Sequence, residues 1–153
     1  MDQRFLKQAI ELAVENVRRN GGPFGAVVVR AGVAIATGCN LVTSTNDPTA
    51  HAEIVAIREA CRILGTFQLG GCDVYSSCEP CPMCLGALHR ARPAHIFFAA
   101  TQQEAAAGFD DSFIYRELQI PAAQRAIPTI HVPDEMAARP FEEWAAKPDK
   151  TQY

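Results

Sequence analysis

The chain has 153 residues, 48% of them hydrophobic, which is enough for one domain built around one core. Lysine and arginine number 14 against 17 aspartates and glutamates, a formal charge of −3, so there is no electrostatic footprint for a phosphate backbone and a nucleic-acid partner is disfavoured. No apolar run is long enough to span a bilayer and the start Met1-Asp2-Gln3-Arg4 lacks a signal-peptide pattern, so a cytoplasmic protein with no membrane partner is expected. In that reducing compartment, six cysteines point to metal binding or catalysis ahead of a disulfide framework.

Apolar Leu6, Ala9, Ile10, Ala13 and Val17 recur at helical spacing and Gly21-Gly22-Pro23 ends the pattern, so residues 2–20 are expected to form an amphipathic helix. Residues 24–29 and 33–39 are short β-branched or small-residue runs joined by Arg30-Ala31-Gly32, which reads as paired strands. A polar loop over 40–48 follows. Helical periodicity returns over 50–64 through Ile54, Ile57, Cys61 and Leu64, with Asp47 or Thr49 as the expected cap and Gly65 as the stop. Residues 72–77 read as a strand, 82–91 as a helix with Pro82 in its first turn, and 95–99 as a further strand. Beyond these, 109–118 and 134–147 look helical, the latter despite Pro140, and 127–132 looks like a late strand. Strands alternating with helices imply an α/β sandwich in a single domain, residues 1–153.

Two motifs carry the chemistry: His51-Ala52-Glu53 at the start of one helix and Pro80-Cys81-Pro82-Met83-Cys84 at the start of another. A helix N-terminus presents free N–H groups and a partial positive charge, which favours the thiolate that binds zinc. Cys81 and Cys84, three residues apart, share a face within one turn and can grip a single ion, with His51 as the third ligand. Two thiolates and a neutral imidazole suit one zinc ion and leave the fourth tetrahedral position for water, as in a catalytic rather than a structural site. Glu53 is the expected proton carrier; residues at i and i+2 diverge on a helix, so the pair can converge only in the first turn.

Each element also has a plainer reading. Cys-x-x-Cys alone is equally a redox pair, and Cys78-Glu79-Pro80-Cys81 offers a second register, although Pro82 favours a helix starting at Cys81. Cys39, Cys61 and Cys72 read as small buried residues, and His89, His95 and His131 as helix-end or strand histidines. The combination is more specific than its parts. His-x-Glu with Pro-Cys-x-x-Cys is the signature of zinc deaminases.

With these motifs the sequence resembles the cytidine deaminase superfamily and, within it, the small bacterial guanine deaminases, over about 24–153. The shared core, Asp47-Pro48-Thr49-Ala50-His51-Ala52-Glu53 with Glu79-Pro80-Cys81-Pro82-Met83-Cys84, is similar in tRNA adenosine deaminases too. Gly108-Phe109-Asp110-Asp111-Ser112-Phe113-Ile114-Tyr115 and the terminal Tyr153 resemble the guanine-deaminase branch. The resemblance implies a three-layer α/β/α sandwich with a mixed five-stranded sheet, one zinc ion per subunit, a nucleobase substrate, and a homodimer with exchanged C-terminal segments. It further implies that Phe24 stacks on the base, Asn40 hydrogen-bonds its edge, Asp111 is a second catalytic acid and Tyr153 closes the pocket. Phe24 is equally at home as a core aromatic, Asn40 as a turn residue, Asp110 and Asp111 as helix caps, and Tyr153 as a frayed terminus. One departure stands out: His89-Arg90 occupies the place of an expected aromatic pair, which keeps a related amino-heterocycle, such as a triazine or isocytosine, as an alternative substrate. Two other readings remain: tRNA adenosine deamination, which calls for a basic surface, and a non-enzymatic zinc-stabilised interaction domain, which calls for a fourth protein ligand.

Overall fold

Four strands, β1 Gly25–Arg30, β2 Val33–Cys39, β3 Cys72–Cys78 and β4 His95–Ala100, form a mixed sheet in the order β2-β1-β3-β4 in the computed structural model, which describes residues 1–152. β1 runs antiparallel to β2 and to β3, whereas β3 and β4 are parallel. Gly25 stands opposite Cys39, Ala26 opposite Ser76, and Cys78 opposite Ala100. The start of β1 and the ends of β2, β3 and β4 therefore meet at one end of the sheet. Phe24, Asn40, Glu79 and Thr101 all follow or precede the strands at that rim.

β1 is apolar without alternation because both of its faces are covered. Ala26 and Val28 join Ala36, Ala52, Ala56, Ala60, Cys72, Val74 and Leu88 in one core, under α3 (Ala52–Leu64) and α4 (Pro82–Ala91). Val27 and Val29 join Phe5, Ala9 and Tyr75 in a second core, under α1 (Gln3–Arg18). The result is the expected α/β/α layering. Glycine permits the tight spacing on each side: a Cβ on Gly25 would lie 2.3 Å from the Ala9 carbonyl, and one on Gly38 2.1 Å from the Ala52 carbonyl.

α1 is present, but its buried stripe is Phe5, Ala9, Ala13 and Asn16, while Ile10 and Val17 are 40% and 49% exposed. The helix is turned so that Phe5 meets the Tyr75 ring at 5.5 Å, a larger apolar contact than Ile10 could make. Between β2 and α3, the polar loop contains one short turn of helix, α2 (Val42–Thr45). Asp47 and Thr49 do not cap α3; Asp47 instead accepts hydrogen bonds from the Thr49 N–H and hydroxyl at 2.8 and 2.7 Å. Gly65 ends α3 in the left-handed conformation, as its position predicts.

Among the described residues the expected fifth strand is absent, so the sheet has four strands and not five. Ile127, Ile130 and Val132 are 74%, 77% and 77% exposed. β-branched residues favour a strand only against a paired neighbour and a half-buried face, and Pro128 removes an N–H donor from within this stretch while Pro133 closes it. A short helix α5 (Gln102–Ala105) follows β4, started by a reciprocal cap between Thr101 and Glu104. By compactness the chain divides into units at Met1–Phe113 and Ile114–Tyr153, the second beginning within α6 (Ser112–Gln119). This second unit also contains a 3₁₀ turn at Ala122–Gln124 and α7 (Arg139–Ala146), and none of its described residues is buried. Among the described residues, no helix is long and apolar enough to cross a membrane.

Candidate active site

His51 and Cys81 occupy equivalent places, each the N-cap residue of its helix in extended backbone geometry, and the His51 side chain makes no cap bond to its own helix. Their ring and sulfur are left to face each other. His51 Nδ1 stands 3.6 Å from Cys81 Sγ and 3.6 Å from Cys84 Sγ, and the three donor atoms all lie within 4.8 Å of one another. Ordinary zinc–nitrogen and zinc–sulfur bonds at a tetrahedral angle put N and S about 3.6 Å apart, so the donors are spaced for one zinc ion. Among the described residues no fourth histidine, cysteine, aspartate or glutamate joins this group.

The electrostatics favour a cation. The Cys84 thiol donates to Cys81, and together with the His51 ring this pulls the Cys81 thiol down to about 4, against the upward push of burial. Cys84 is held protonated by that same bond, then by burial and the neighbouring Glu53. His51 is raised, chiefly by its bond to Cys81. A thiol pair that shares one proton beside an imidazole is poised to release that proton to an incoming metal.

Glu53 lies in the first turn of α3 and is only 5% exposed, the one buried carboxylate among the described residues. Its Oε1 accepts from the Ser76 hydroxyl at 2.9 Å, and its Oε2 lies 3.4 Å from the Cys84 sulfur. Burial raises its carboxyl, opposed by hydrogen bonds from the backbone, Ser76 and Cys84. The first-turn position resolves the divergence of i and i+2, because the carboxylate reaches across to β3 and α4 beside the donor trio. A carboxylate this deep is an energetic liability unless it handles protons.

The second cysteine register does not form. Cys78 is buried with its thiol directed at the Thr101 carbonyl, 3.8 Å away, and burial raises it. Burial likewise raises Cys39, Cys61 and Cys72, and all six cysteines are free. His95 pairs with Asp73 at 2.8 Å, and His89 and His131 are exposed. None of the three approaches the donors.

At the sheet rim, Phe24 is half-buried and packs edge-on against Phe109, with ring centroids 5.0 Å apart. Asn40 is buried, its N–H donating to the Phe24 carbonyl at 3.1 Å and its Oδ1 accepting from the Val42 N–H at 3.2 Å. The adjacent aspartates divide their work. Asp110 accepts from the Ser112 N–H and hydroxyl at 2.8 and 3.0 Å, fixing the start of α6. Asp111 is half-buried and raised, first by burial and then by Cys81, while His51 draws it the other way, so its charge is felt at the donor trio. Tyr153 lies outside the described residues. His89 and Arg90 are exposed at the far end of α4, about 8 Å along the axis from Cys84 at 1.5 Å per residue.

Ser76, Asn16 and Phe109 were not singled out as functional by sequence. Ser76 sits two residues before Cys78 in a strand, and nothing local distinguishes it from Ser77. Asn16 carried none either, because the stripe of α1 that buries it is not the one its apolar residues predict.

An imidazole, two sulfurs and a buried carboxylate at two neighbouring helix starts make a zinc-dependent hydrolytic centre, a class in which the carboxylate moves protons rather than binding metal. The family model described as "Cytidine and deoxycytidylate deaminase zinc-binding region" matches residues 1–100, and the chain belongs to that family. Guanine deaminase of Bacillus subtilis is 54% identical over 153 residues, 99% of this chain and 98% of that protein. The X-ray structure of the Bacillus subtilis guanine deaminase superposes with a TM-score of 0.98, covering 100% of this chain and 99% of the other. A tRNA-specific adenosine deaminase of Aquifex aeolicus is 42% identical over 100 residues, covering 65% of this chain and 66% of its own.

Proposed function

We infer that the protein deaminates guanine hydrolytically, giving xanthine and ammonia, with one zinc ion held by His51, Cys81 and Cys84. The observation that carries this reading is the extent of the likeness to the guanine deaminase, which runs over 99% of the chain and so includes the part beyond the metal motifs. When bound, zinc supplies Lewis acidity that brings the pKa of a ligated water close to 7. Glu53 takes one proton of the attacking water and delivers it to the ring nitrogen beside C2, then takes the remaining hydroxyl proton and passes it to the departing amine as the C2 carbonyl forms. Burial suits it to that exchange, because it raises the carboxyl and so makes the carboxylate a readier proton acceptor. The Ser76 hydroxyl fixes one carboxylate oxygen and leaves the other towards the metal donors.

In this reading Phe24 stacks on the purine and Asn40 hydrogen-bonds its edge. Support for this comes from their shared rim position and their direct backbone bond. Asp111, raised above the ordinary carboxylate range, assists the leaving amine. The protein works as a homodimer of single-domain subunits with exchanged C-terminal segments: the second unit exposes Ile127, Ile130, Val132 and Phe141 by 74% to 77%, more apolar surface than an isolated segment of this size sustains. The cytoplasm suits six free thiols.

Deamination of tRNA adenosine is the second reading, favoured by the 42% identity to the Aquifex aeolicus enzyme and opposed by the −3 net charge. Purified protein offered guanine, adenine, cytosine, cytidine, isocytosine and a tRNA anticodon stem, with ammonia recorded, separates the candidates. Ammonia from guanine is expected; release from the stem alone would overturn the assignment.

A further inference from the structure

Asn16 is 9% exposed and lies in the last full turn of α1, on the same stripe as Phe5, Ala9 and Ala13. An amide at a core-facing position loses its hydration and is tolerated only where the structure returns its hydrogen bonds. Asn16 recovers them from two separate segments: Nδ2 donates to the Gly22 carbonyl at 2.8 Å and to the Asn40 carbonyl at 2.8 Å. Gly22 stands two residues before Phe24, and Asn40 is itself the second rim residue to which base recognition is assigned. The Phe24 N–H also bonds the Gly22 carbonyl at 2.8 Å, and the Asn40 N–H bonds the Phe24 carbonyl at 3.1 Å.

These four bonds close a ring through Asn16, Gly22, Phe24 and Asn40. The turn before β1 and the exit of β2 cannot shift independently while the amide holds both carbonyls. Space for the amide comes from Gly21, where a Cβ would stand 2.4 Å from Asn16 Nδ2. The Gly21 N–H in turn bonds the Asn16 carbonyl at 2.8 Å, which ties the end of the helix to the same turn.

We propose that Asn16 is a positioning residue for base recognition, its one amide group setting Phe24 and Asn40 in register with each other. The proposal rests on the reading that these two residues contact the purine. It concerns binding and not the proton transfer, because Asn16 touches neither the metal donors nor Glu53. Asparagine is required by chemistry as well as size: an aspartate of the same shape has no N–H to give and sets negative charge against two carbonyl oxygens.

The test compares Asn16→Asp and Gly21→Ala with wild type. The first removes the donors and keeps the shape; the second keeps Asn16 and displaces its amide from the opposite side. Both are expected to raise KM for guanine about tenfold, the equivalent of one hydrogen bond to the base, with kcat lowered less than threefold and zinc content unchanged. Hydrogen exchange followed residue by residue should quicken at Phe24 and Asn40 and not in α3 or α4. A residue that served only packing would lower Tm in both variants and leave KM and the local exchange pattern as in wild type, which would overturn the proposal. If wild-type protein fails to turn over guanine, the functional reading falls by itself. Exchange at Phe24 and Asn40 then still decides whether Asn16 sets those two segments, and unchanged exchange there would refute it.

Discussion

Replacing Glu53 with glutamine tests the mechanism at its most exposed step. The two side chains match in size, and the glutamine carbonyl can still accept from Ser76, now 2.9 Å from Oε1, so the packing of a side chain 5% exposed is retained. What is lost is a group able to take and return a proton. That share of catalysis is worth roughly 10² to 10⁴-fold in kcat, about 3 to 5 kcal/mol of barrier. Stability should move the other way. Burial raises the Glu53 carboxyl, so in metal-free protein the native state holds its proton to higher pH than the unfolded chain does. Native stability then falls as pH climbs from the ordinary carboxylate range through the raised native value, and glutamine removes this penalty. The assay is ammonia release at saturating guanine, zinc content by elemental analysis, and Tm of chelated protein at pH 4 and pH 8. Expected are a kcat loss of at least 10²-fold, zinc retained, and a Tm advantage for the variant that is larger at pH 8. Full turnover with zinc bound would refute Glu53 as the proton carrier, and a lower Tm at pH 8 would refute the account of its burial.

Ser76→Ala leaves Glu53 without its oriented oxygen; kcat should fall about tenfold with zinc retained, and Ser76→Thr should restore most of it, as steady-state kinetics would show. Cys81→Ser should abolish stoichiometric zinc binding and activity together, and chelation of wild type should do the same reversibly, with zinc alone restoring both. Gly38→Ala drives a Cβ to within 2.1 Å of the Ala52 carbonyl, so α3 must shift with His51 and Glu53; denaturant unfolding should register a loss of about 1–3 kcal/mol, and activity should fall with it.

The elements that local chemistry dictates were readable from the sequence. Pro82 marks the start of α4 and the helix spans Pro82–Ala91 as its pattern predicts, because proline suits a first turn and little else in a helix. The donors were equally plain, since Cys81 and Cys84 lie in one turn and His51 stands just ahead of Glu53. Pro140 holds the same lesson in reverse: the helix expected over 134–147 runs only Arg139–Ala146, with the proline in its first turn. Thr101 and Glu104 spelled out the cap of α5 and went unread. What local pattern could not supply was anything settled by a distant partner. The stripe of α1 is chosen by Tyr75, seventy residues on from Phe5. Residues 127–132 have the composition of a strand and no strand beside them. Ser76 acquires its role from a carboxylate 23 positions away, and Asn16 from a carbonyl 24 positions away.

The duty of His51 as the first residue of its helix places two demands in opposition. Serine there would anchor the leading N–H groups and strengthen the helix by about 0.5–2 kcal/mol, yet would withdraw the imidazole from the donor trio. Selection for a sturdier apoprotein would thus erode the centre, and only the loaded protein would recover, through coordination, the order that helix start forgoes.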